Sequence, residues 1–248
     1  PLAAMERRLK TEKWLFFDLP NVTAAPIGPL MPTTTTAEPS RRKSRHRIHA
    51  NPFNVPEPEA RPDWTAIFER SAPIALEIGY GQGAFLQDLA RKHPEWNVIG
   101  LEIRPHFVER AISEAKEAGL SNLYAVLANA NRDLDTLIPD QSVAFVSVNF
   151  PDPWFKKRHH KRRVIQDTML DLLGKKFMAD GEFHLMTDFE PIGLDALELF
   201  TSRTDYQNVL GEDRFSEETT TAITSEREIT HEGRGDPIYR LAYRHCGV

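Results

Sequence analysis

The chain has 248 residues, with 31 Lys and Arg against 36 Asp and Glu, and a single cysteine. Its apolar share of 40% is enough to bury a core, which excludes a wholly disordered chain. One cysteine excludes a disulfide scaffold, and no apolar run approaches the roughly 20 residues that cross a bilayer. The first residues also lack the long apolar segment of a signal peptide, so we expect a cytoplasmic protein without a membrane partner.

The first 62 residues are predicted to form an N-terminal arm rather than part of the folded domain. Residues 20–40 are rich in proline and threonine and have no apolar period, which is typical of a flexible segment. Residues 41–49 then carry five Lys or Arg and no acid. Asp63 is a typical N-cap residue, so regular structure is expected to begin there and to form one domain over 63–248.

From residue 74 the pattern alternates apolar strands with amphipathic helices. Strands are predicted at 73–79, 97–103, 122–128, 142–150 and 181–187, with short ones near 206–210 and 237–244. Helices are predicted at 83–94, 105–119, near 131–138, around 161–178 and at 191–203. This alternation predicts an α/β fold with a doubly wound, mostly parallel, Rossmann-like sheet. Such sheets bind ligands beyond the carboxyl ends of their strands.

A glycine-rich turn follows the first predicted strand. Residues 77–84 read Glu-Ile-Gly-Tyr-Gly-Gln-Gly-Ala, and alternate glycines let the backbone approach a ligand closely. The second strand ends at Glu102, where a carboxylate can accept hydrogen bonds from both hydroxyls of a ribose. The turn also satisfies the G-x-G-x-x-A fingerprint, so an NAD-dependent oxidoreductase is an alternative. Glu77 favours S-adenosylmethionine, because a carboxylate in an apolar strand needs a cation and would repel a pyrophosphate.

The most specific motif follows the fourth predicted strand. Residues 149–155 read Asn-Phe-Pro-Asp-Pro-Trp-Phe, and the basic run (residues 156–163) adds six Lys or Arg without an acid. Two prolines stiffen the backbone around Asp152, Trp154 is expected to offer a stacking face to a base, and the cations can contact phosphates. The alternative makes Asp152 a helix N-cap with Pro153 in the first turn.

The charge distribution and the remaining motifs narrow the partners. Without residues 41–49 and the basic run, 20 Lys and Arg remain against 36 acids. The chain therefore carries two basic patches on an acidic body, which indicates a polyanionic partner. The alternative is that each patch is only a solvated face.

Two further motifs bear on the site. Thr187 and Glu190 have the spacing of a capping box, which leaves the Asp188 side chain available to the crevice. The adjacent His159 and His160 lack further ligands, so no metal site is expected.

Together these motifs resemble those of the tRNA (guanine-N7)-methyltransferases over about residues 72–245. The resemblance implies a class I methyltransferase that uses S-adenosylmethionine and forms 7-methylguanosine in tRNA, at guanosine 46 of the variable loop. It implies a cofactor site at Glu77, Gly79, Gly81, Glu102, Asp152 and at Asn129, where the family commonly has an acid. It implies Asp152 as the catalytic carboxylate, and substrate contacts at Lys156, Asp188, Thr224 and Arg227.

The partner predicted from these features is tRNA. Its backbone is expected to bind Lys157, Arg158, Lys161, Arg162 and Arg163. Two further alternatives are a non-catalytic RNA-binding module that has kept a cofactor pocket and a methyltransferase that acts on protein or DNA. The sequence is compatible with a monomer and with a homodimer.

Overall fold

The computed structural model describes residues 51–155 and 157–247, and the side chains of Lys157, His160 and Lys161 are outside the description. Most of the predicted N-terminal arm, up to residue 50, and the substrate residue Lys156 therefore lie outside the described residues. In the part that is described, no helix is both long enough and apolar enough to span a bilayer.

Within these residues, one sheet contains β1 (Ile74–Ile78), β2 (Asn97–Glu102), β3 (Leu123–Leu127), β4 (Val143–Asn149), β5 (Phe177–Thr187), β6 (Tyr206–Asn208) and β7 (Tyr239–His245). The strand order is β3-β2-β1-β4-β5-β7-β6. Strands β1 to β5 are parallel, whereas β7 runs antiparallel to both β5 and β6. The predicted doubly wound, mostly parallel sheet is confirmed. Its strand order reverses between β1 and β4, which places the ligand crevice beyond those two strands.

The helices are α1 (Trp64–Phe68), α2 (Ala84–Lys92), α3 (Pro105–Glu117), α4 (Ala130–Leu137), α5 (Asp167–Lys176), α6 (Glu190–Thr201) and α7 (Glu226–Glu232). Two short 3-10 helices cover Pro52–Asn54 and Lys157–Arg162. The predicted N-cap is confirmed, since Asp63 Oδ1 accepts a hydrogen bond of 2.9 Å from the amide of Ala66.

Two predicted boundaries were wrong, and one helix was not predicted. The helix expected around 161–178 is split, because the chain forms a 3-10 helix up to Arg162 and α5 begins only at Asp167. Strand β5 begins at Phe177 rather than at residue 181. The sequence analysis also missed α7, a seven-residue helix that enters the crevice region.

Side-chain packing fixes the turn after β1. Every residue of β1 and β2 is buried, because the sheet is covered on both faces. A Cβ on Gly100 of β2 would lie 2.5 Å from Leu86 and 2.6 Å from Tyr80, so only glycine lets α2 and the preceding turn approach the sheet this closely. The glycine turn (residues 79–83) is thereby held against the end of β2.

Candidate active site

Glu77, in β1, is a buried carboxylate at the carboxyl end of the central strands. Its side chain is 1% exposed, and Oε1 accepts a hydrogen bond of 3.1 Å from Asn149 Nδ2 in the neighbouring strand β4. Its second oxygen, Oε2, has no hydrogen-bond partner among the described residues. Burial raises the pKa of Glu77 to about 8, against the hydrogen bond from Asn149 and with a smaller contribution from the nearby Glu102.

Glu102, at the end of β2, holds the glycine turn. Its Oε2 accepts a hydrogen bond of 3.0 Å from the amide of Gly81, which has a left-handed backbone with φ of 60°. Arg104, which the sequence analysis missed, donates to the same carboxylate from Nε at 3.0 Å and from Nη2 at 3.1 Å. A Cβ on Gly79 would meet nothing within 4 Å, so open space lies beside the turn. The structure therefore brings Glu77, Gly79, Gly81 and Glu102 together.

Three buried polar atoms at this end of the sheet lack hydrogen-bond partners within the described ranges: Glu77 Oε2, the Tyr80 hydroxyl and Asn149 Oδ1. Burial also raises the pKa of Tyr80, with the carboxylates of Glu102 and Glu77 adding to the effect. Buried polar groups are normally paired, so this set fits a ligand that brings its own polar and cationic groups. The residues present thus fit a cationic nucleoside cofactor such as S-adenosylmethionine.

Asn129, after β3, is buried and faces another part of the chain. Its Nδ2 donates a hydrogen bond of 3.2 Å to the carbonyl of Pro52, in the 3-10 helix Pro52–Asn54. The backbone N–H of Asn129 donates a hydrogen bond of 2.8 Å to Asp133 Oδ2, and Arg132 forms an ion pair with the same buried carboxylate. The Asp133 carboxylate, one turn into α4, therefore accepts the hydrogen bond of the Asn129 backbone, and the Asn129 side chain is turned toward residue 52.

The β4 loop (residues 150–155) carries Asp152 in an irregular backbone. No helix begins at Pro153, so the N-cap alternative for Asp152 was wrong. Phe150 and Trp154 on either side have left-handed backbones with φ of 50° and 46°. Such conformations are costly for large side chains and concentrate at functional sites. Asp152 lines a partly open cavity together with Pro151, Arg163, Val164, Ile165, Ile192, Asp195 and Ala196.

The stacking face predicted for Trp154 was wrong. The Trp154 residue is only 8% exposed, because its ring packs 5.0 Å from the Arg162 guanidinium and 6.0 Å from the ring of His159. The exposed aromatic side chain of the loop is its neighbour Phe155, at 68%. Phe155 contacts Phe189 edge to face, with the ring centroids 5.3 Å apart.

The three arginines of the basic run, whose side chains the structure describes, fall into two groups. Arg158 is exposed, and the Arg162 guanidinium lies between the rings of Trp154 and Phe53, 5.4 Å from the latter. Arg163 is instead tied into the fold, since Nε donates to the carbonyl of Pro153 at 3.1 Å and Nη1 pairs with Asp195 at 2.6 Å. Its side chain is 14% exposed, so a phosphate would have to displace an existing partner.

Asp188, directly after β5, is held by α7. Its Oδ2 lies 3.3 Å from His231 Nε2 and 3.6 Å from Arg227 Nη2. Arg227 also donates to the carbonyl of Phe150 at 3.2 Å, and the His231 ring stacks on the Phe150 ring at 5.5 Å. Residues Arg227 and His231, one helical turn apart, thereby connect the β4 loop with the residue after β5. The capping box predicted for Thr187 and Glu190 was wrong, since α6 has no side-chain cap.

The start of α7 is fixed by Ser225 rather than by Thr224. Ser225 Oγ accepts a hydrogen bond from the amide of Glu228, and Glu228 Oε2 accepts one from the amide of Ser225. The fully buried Glu228 carboxylate also pairs with Arg240 Nε at 2.8 Å. Thr224 is exposed just ahead of the helix. The S-x-x-E spacing of 225–228 was the signal that could have predicted this helix.

No group of three or more His, Cys, Asp and Glu side chains in the described part of the chain is arranged to hold a metal ion. Its one cysteine, Cys246, is exposed and free.

Comparison with known proteins shows similarity to methyltransferases. A family described as "Putative methyltransferase" matches residues 71–241. A Microcystis aeruginosa protein named tRNA (guanine-N(7)-)-methyltransferase is 36% identical over 82% of this chain and 98% of its own length. A Sodalis glossinidius protein of the same name is 48% identical, over 54% of this chain and only 56% of its own length.

Two solved structures share the fold. The 16S rRNA methyltransferase KamB has a TM-score of 0.54 at 16% identity, over 75% of this chain and 95% of its own. The aminoglycoside resistance methyltransferase NpmB1 has a TM-score of 0.50 at 19% identity, over 73% of this chain and 90% of its own. At these identities the comparison supports the common architecture of the sheet and helices alone.

Proposed function

Because the chain belongs to the tRNA (guanine-N7)-methyltransferase family, we propose that it transfers the methyl group of S-adenosylmethionine to N7 of a guanine in tRNA. The observation that carries this proposal is the buried Glu77 carboxyl group, whose Oε2 lacks a partner beside the glycine turn. A cationic cofactor would favour the ionised form of Glu77 and satisfy that oxygen, whereas the pyrophosphate of a dinucleotide would bring no cation to it. The same feature argues against the oxidoreductase alternative.

The residues of the glycine turn and its neighbours bind the cofactor. Glu77, once ionised, pairs with the cationic group of the methionine moiety, and Glu102 accepts hydrogen bonds from the ribose hydroxyls. Glu102 is already oriented for this by the Gly81 amide and by Arg104. When bound, S-adenosylmethionine supplies an electrophilic methyl carbon on a positively charged sulfur.

Asp152 acts on the guanine. N7 carries an in-plane lone pair, so no base is needed to create the nucleophile, and the main task of the protein is to align that lone pair with the methyl group. With the cofactor bound, methylation at N7 would leave the purine positively charged, because the electron pair of the broken S–C bond would remain with the sulfur. Asp152 stabilises that developing charge from the rigid β4 loop, in a backbone already set by Phe150 and Trp154.

The tRNA is bound by cations of the basic run and by Asp188. The exposed Arg158 contacts a phosphate, Arg162, Lys156, Lys157 and Lys161 add further cations, and Asp188 hydrogen-bonds the substrate from the end of β5. Arg227 acts on the substrate through Asp188 and Phe150. The target is guanosine 46 of the variable loop, in cytoplasmic tRNA.

The test is incubation of the protein with an unmodified tRNA transcript and methyl-labelled S-adenosylmethionine, followed by nucleoside analysis. The expected product is 7-methylguanosine, and a transcript with adenosine at position 46 should remain unlabelled. Binding of the transcript without any incorporation would support the non-catalytic RNA-binding module instead. Calorimetry with S-adenosylhomocysteine and with NAD separates the methyltransferase from the oxidoreductase. A methyltransferase should bind S-adenosylhomocysteine and release or absorb heat on its addition, whereas addition of NAD should give no binding heat.

A further inference from the structure

Phe155 is an aromatic side chain that the fold leaves in solvent. It is 68% exposed, while the neighbouring Trp154 is 8% exposed. The fold therefore buries the larger ring of this pair and presents the smaller one. A single exposed apolar side chain needs no explanation by itself, so its significance depends on what surrounds it.

The ring of Phe155 is braced by a second aromatic ring. Its contact with Phe189 is edge to face, with an interplanar angle of 85° and a centroid distance of 5.3 Å. Phe155 lies three residues after Asp152, and Phe189 directly follows Asp188. The pair therefore joins the two loops that carry the proposed substrate residues. An edge-to-face partner holds a ring in place and leaves ring surface open to a third group.

Cations follow this ring closely in the sequence. The basic run begins at the next residue, and Arg158, three residues further along the chain, is exposed. A second phenylalanine, Phe53, is 54% exposed, and the Arg162 guanidinium lies 5.4 Å from its ring. Aromatic rings interleaved with cations are the arrangement that binds unpaired nucleotides, since the rings stack on bases while the cations contact phosphates.

We propose that Phe155 is the stacking platform for an unpaired base of the RNA substrate, adjacent to the guanine held at Asp152. The inference rests on the proposed function, which identifies the RNA as tRNA. It adds a base-binding site at Phe155 in place of the one predicted at Trp154. Phe189 fixes the tilt of the platform and makes no contact with the base. The occupant is a nucleobase because a flat apolar surface bordered by cations complements a π-face attached to a phosphate.

The test compares Phe155→Ala, Phe155→Leu and Phe155→Trp with a matched control, Leu194→Ala, which truncates a 50% exposed apolar side chain on α6. Direct binding of unmodified tRNA should weaken about tenfold in the alanine and leucine variants, or about 1.4 kcal/mol. The tryptophan variant should bind as the unchanged protein does, and the fluorescence that it adds should be quenched by tRNA. Affinity for S-adenosylhomocysteine and the melting temperature should stay the same throughout.

Two results would overturn the inference: equal tRNA affinity in Phe155→Ala and Leu194→Ala, or full affinity in Phe155→Leu, which would indicate apolar contact without stacking. The outcome is separable from that of the proposed function. Methylation by the unchanged protein with no effect at Phe155 defeats only the stacking platform. Absence of 7-methylguanosine defeats only the reaction, because the binding and quenching measurements do not depend on turnover.

Discussion

Asn149 donates a hydrogen bond to Glu77 across the two central strands β4 and β1. The bond satisfies one carboxylate oxygen and one amide hydrogen, and it leaves Glu77 Oε2 and Asn149 Oδ1 buried without partners among the described residues. This pair ties the end of the strand before the glycine turn to the residue that precedes the β4 loop. The two loops proposed to bind the cofactor and the substrate are therefore linked through this hydrogen bond.

The first prediction concerns the pH dependence of stability in the cofactor-free protein. Because burial raises the pKa of Glu77 from 4.5 to about 8, the folded state keeps a proton that the unfolded state releases between these values. The stability contributed by that proton is fully present below pH 4.5 and is lost as the pH rises to about 8. Relative to Glu77→Gln, the free energy of unfolding should fall by about 1.4 kcal/mol per pH unit over this window.

Urea denaturation at a series of pH values measures this difference. Glu109→Gln, which neutralises an exposed carboxylate on α3, is the matched control and should follow the unchanged protein. Parallel pH profiles for Glu77→Gln and the unchanged protein would show that Glu77 is ionised in the folded state, contrary to the prediction.

The second prediction is that Asp152→Asn separates binding from chemistry. The variant should bind S-adenosylhomocysteine normally, because Glu77 and Glu102 are untouched. It should lose about 100-fold or more of the single-turnover rate, because the developing charge on the purine is no longer opposed by a carboxylate. Asp88→Asn, in an exposed pair with Arg91 on α2, is the control. Near-normal methylation by Asp152→Asn in a single turnover would remove Asp152 from the reaction.

The third prediction tests α7 as the element that positions Asp188. His231→Ala removes the 3.3 Å contact to the Asp188 carboxylate and the stack on Phe150. The KM for tRNA should rise roughly tenfold, the effect expected for a hydrogen bond to a charged group, with little change in cofactor affinity. His231→Gln should restore part of the loss. Ile229→Ala, at a 60% exposed site on the same helix, is the control, and an equal effect there would reduce His231 to a structural role.

The fourth prediction distinguishes two arginines five residues apart. Arg158→Ala should lower the slope of log affinity for tRNA against log salt by about 0.7–0.9, the contribution of one phosphate contact. Arg163→Ala should instead lower the melting temperature, because it breaks the pair with Asp195 and the hydrogen bond to Pro153. Salt titrations of tRNA binding and thermal melts of both variants measure these two effects. A reduced salt slope in Arg163→Ala without loss of stability would place its side chain on the RNA.

Much of the fold could be predicted from local sequence. Apolar strands that alternate with amphipathic helices are sufficient for the parallel sheet, and the end of each strand locates Glu77, Glu102, Asp152 and Asp188 at one edge. These predictions succeed because hydrophobic periodicity is a property of short segments. The connection rules for βαβ units then leave few topologies.

The contacts that refine the site depend on residues far apart in sequence. Arg163 is neutralised by Asp195, 32 residues away, and Trp154 is covered by an arginine and a histidine that follow it in an unexpected 3-10 helix. No local pattern reports such pairings. The missed helix α7 is different, because the Ser225–Glu228 spacing of a capping box is a local signal that could have predicted it. Thr224 and Arg227 were instead interpreted only as substrate contacts.

The left-handed backbones of Phe150 and Trp154 have an evolutionary consequence. Each conformation costs of the order of 1–3 kcal/mol that a glycine would largely avoid, so the chain keeps a permanent thermodynamic handicap on both sides of Asp152. Both side chains are buried, so a glycine at either position would relieve the strain but would lose about 3–5 kcal/mol of packing. The side chains that shape the loop therefore also hold it in its costly conformation, and selection for a more stable protein has no single substitution to glycine by which to escape it.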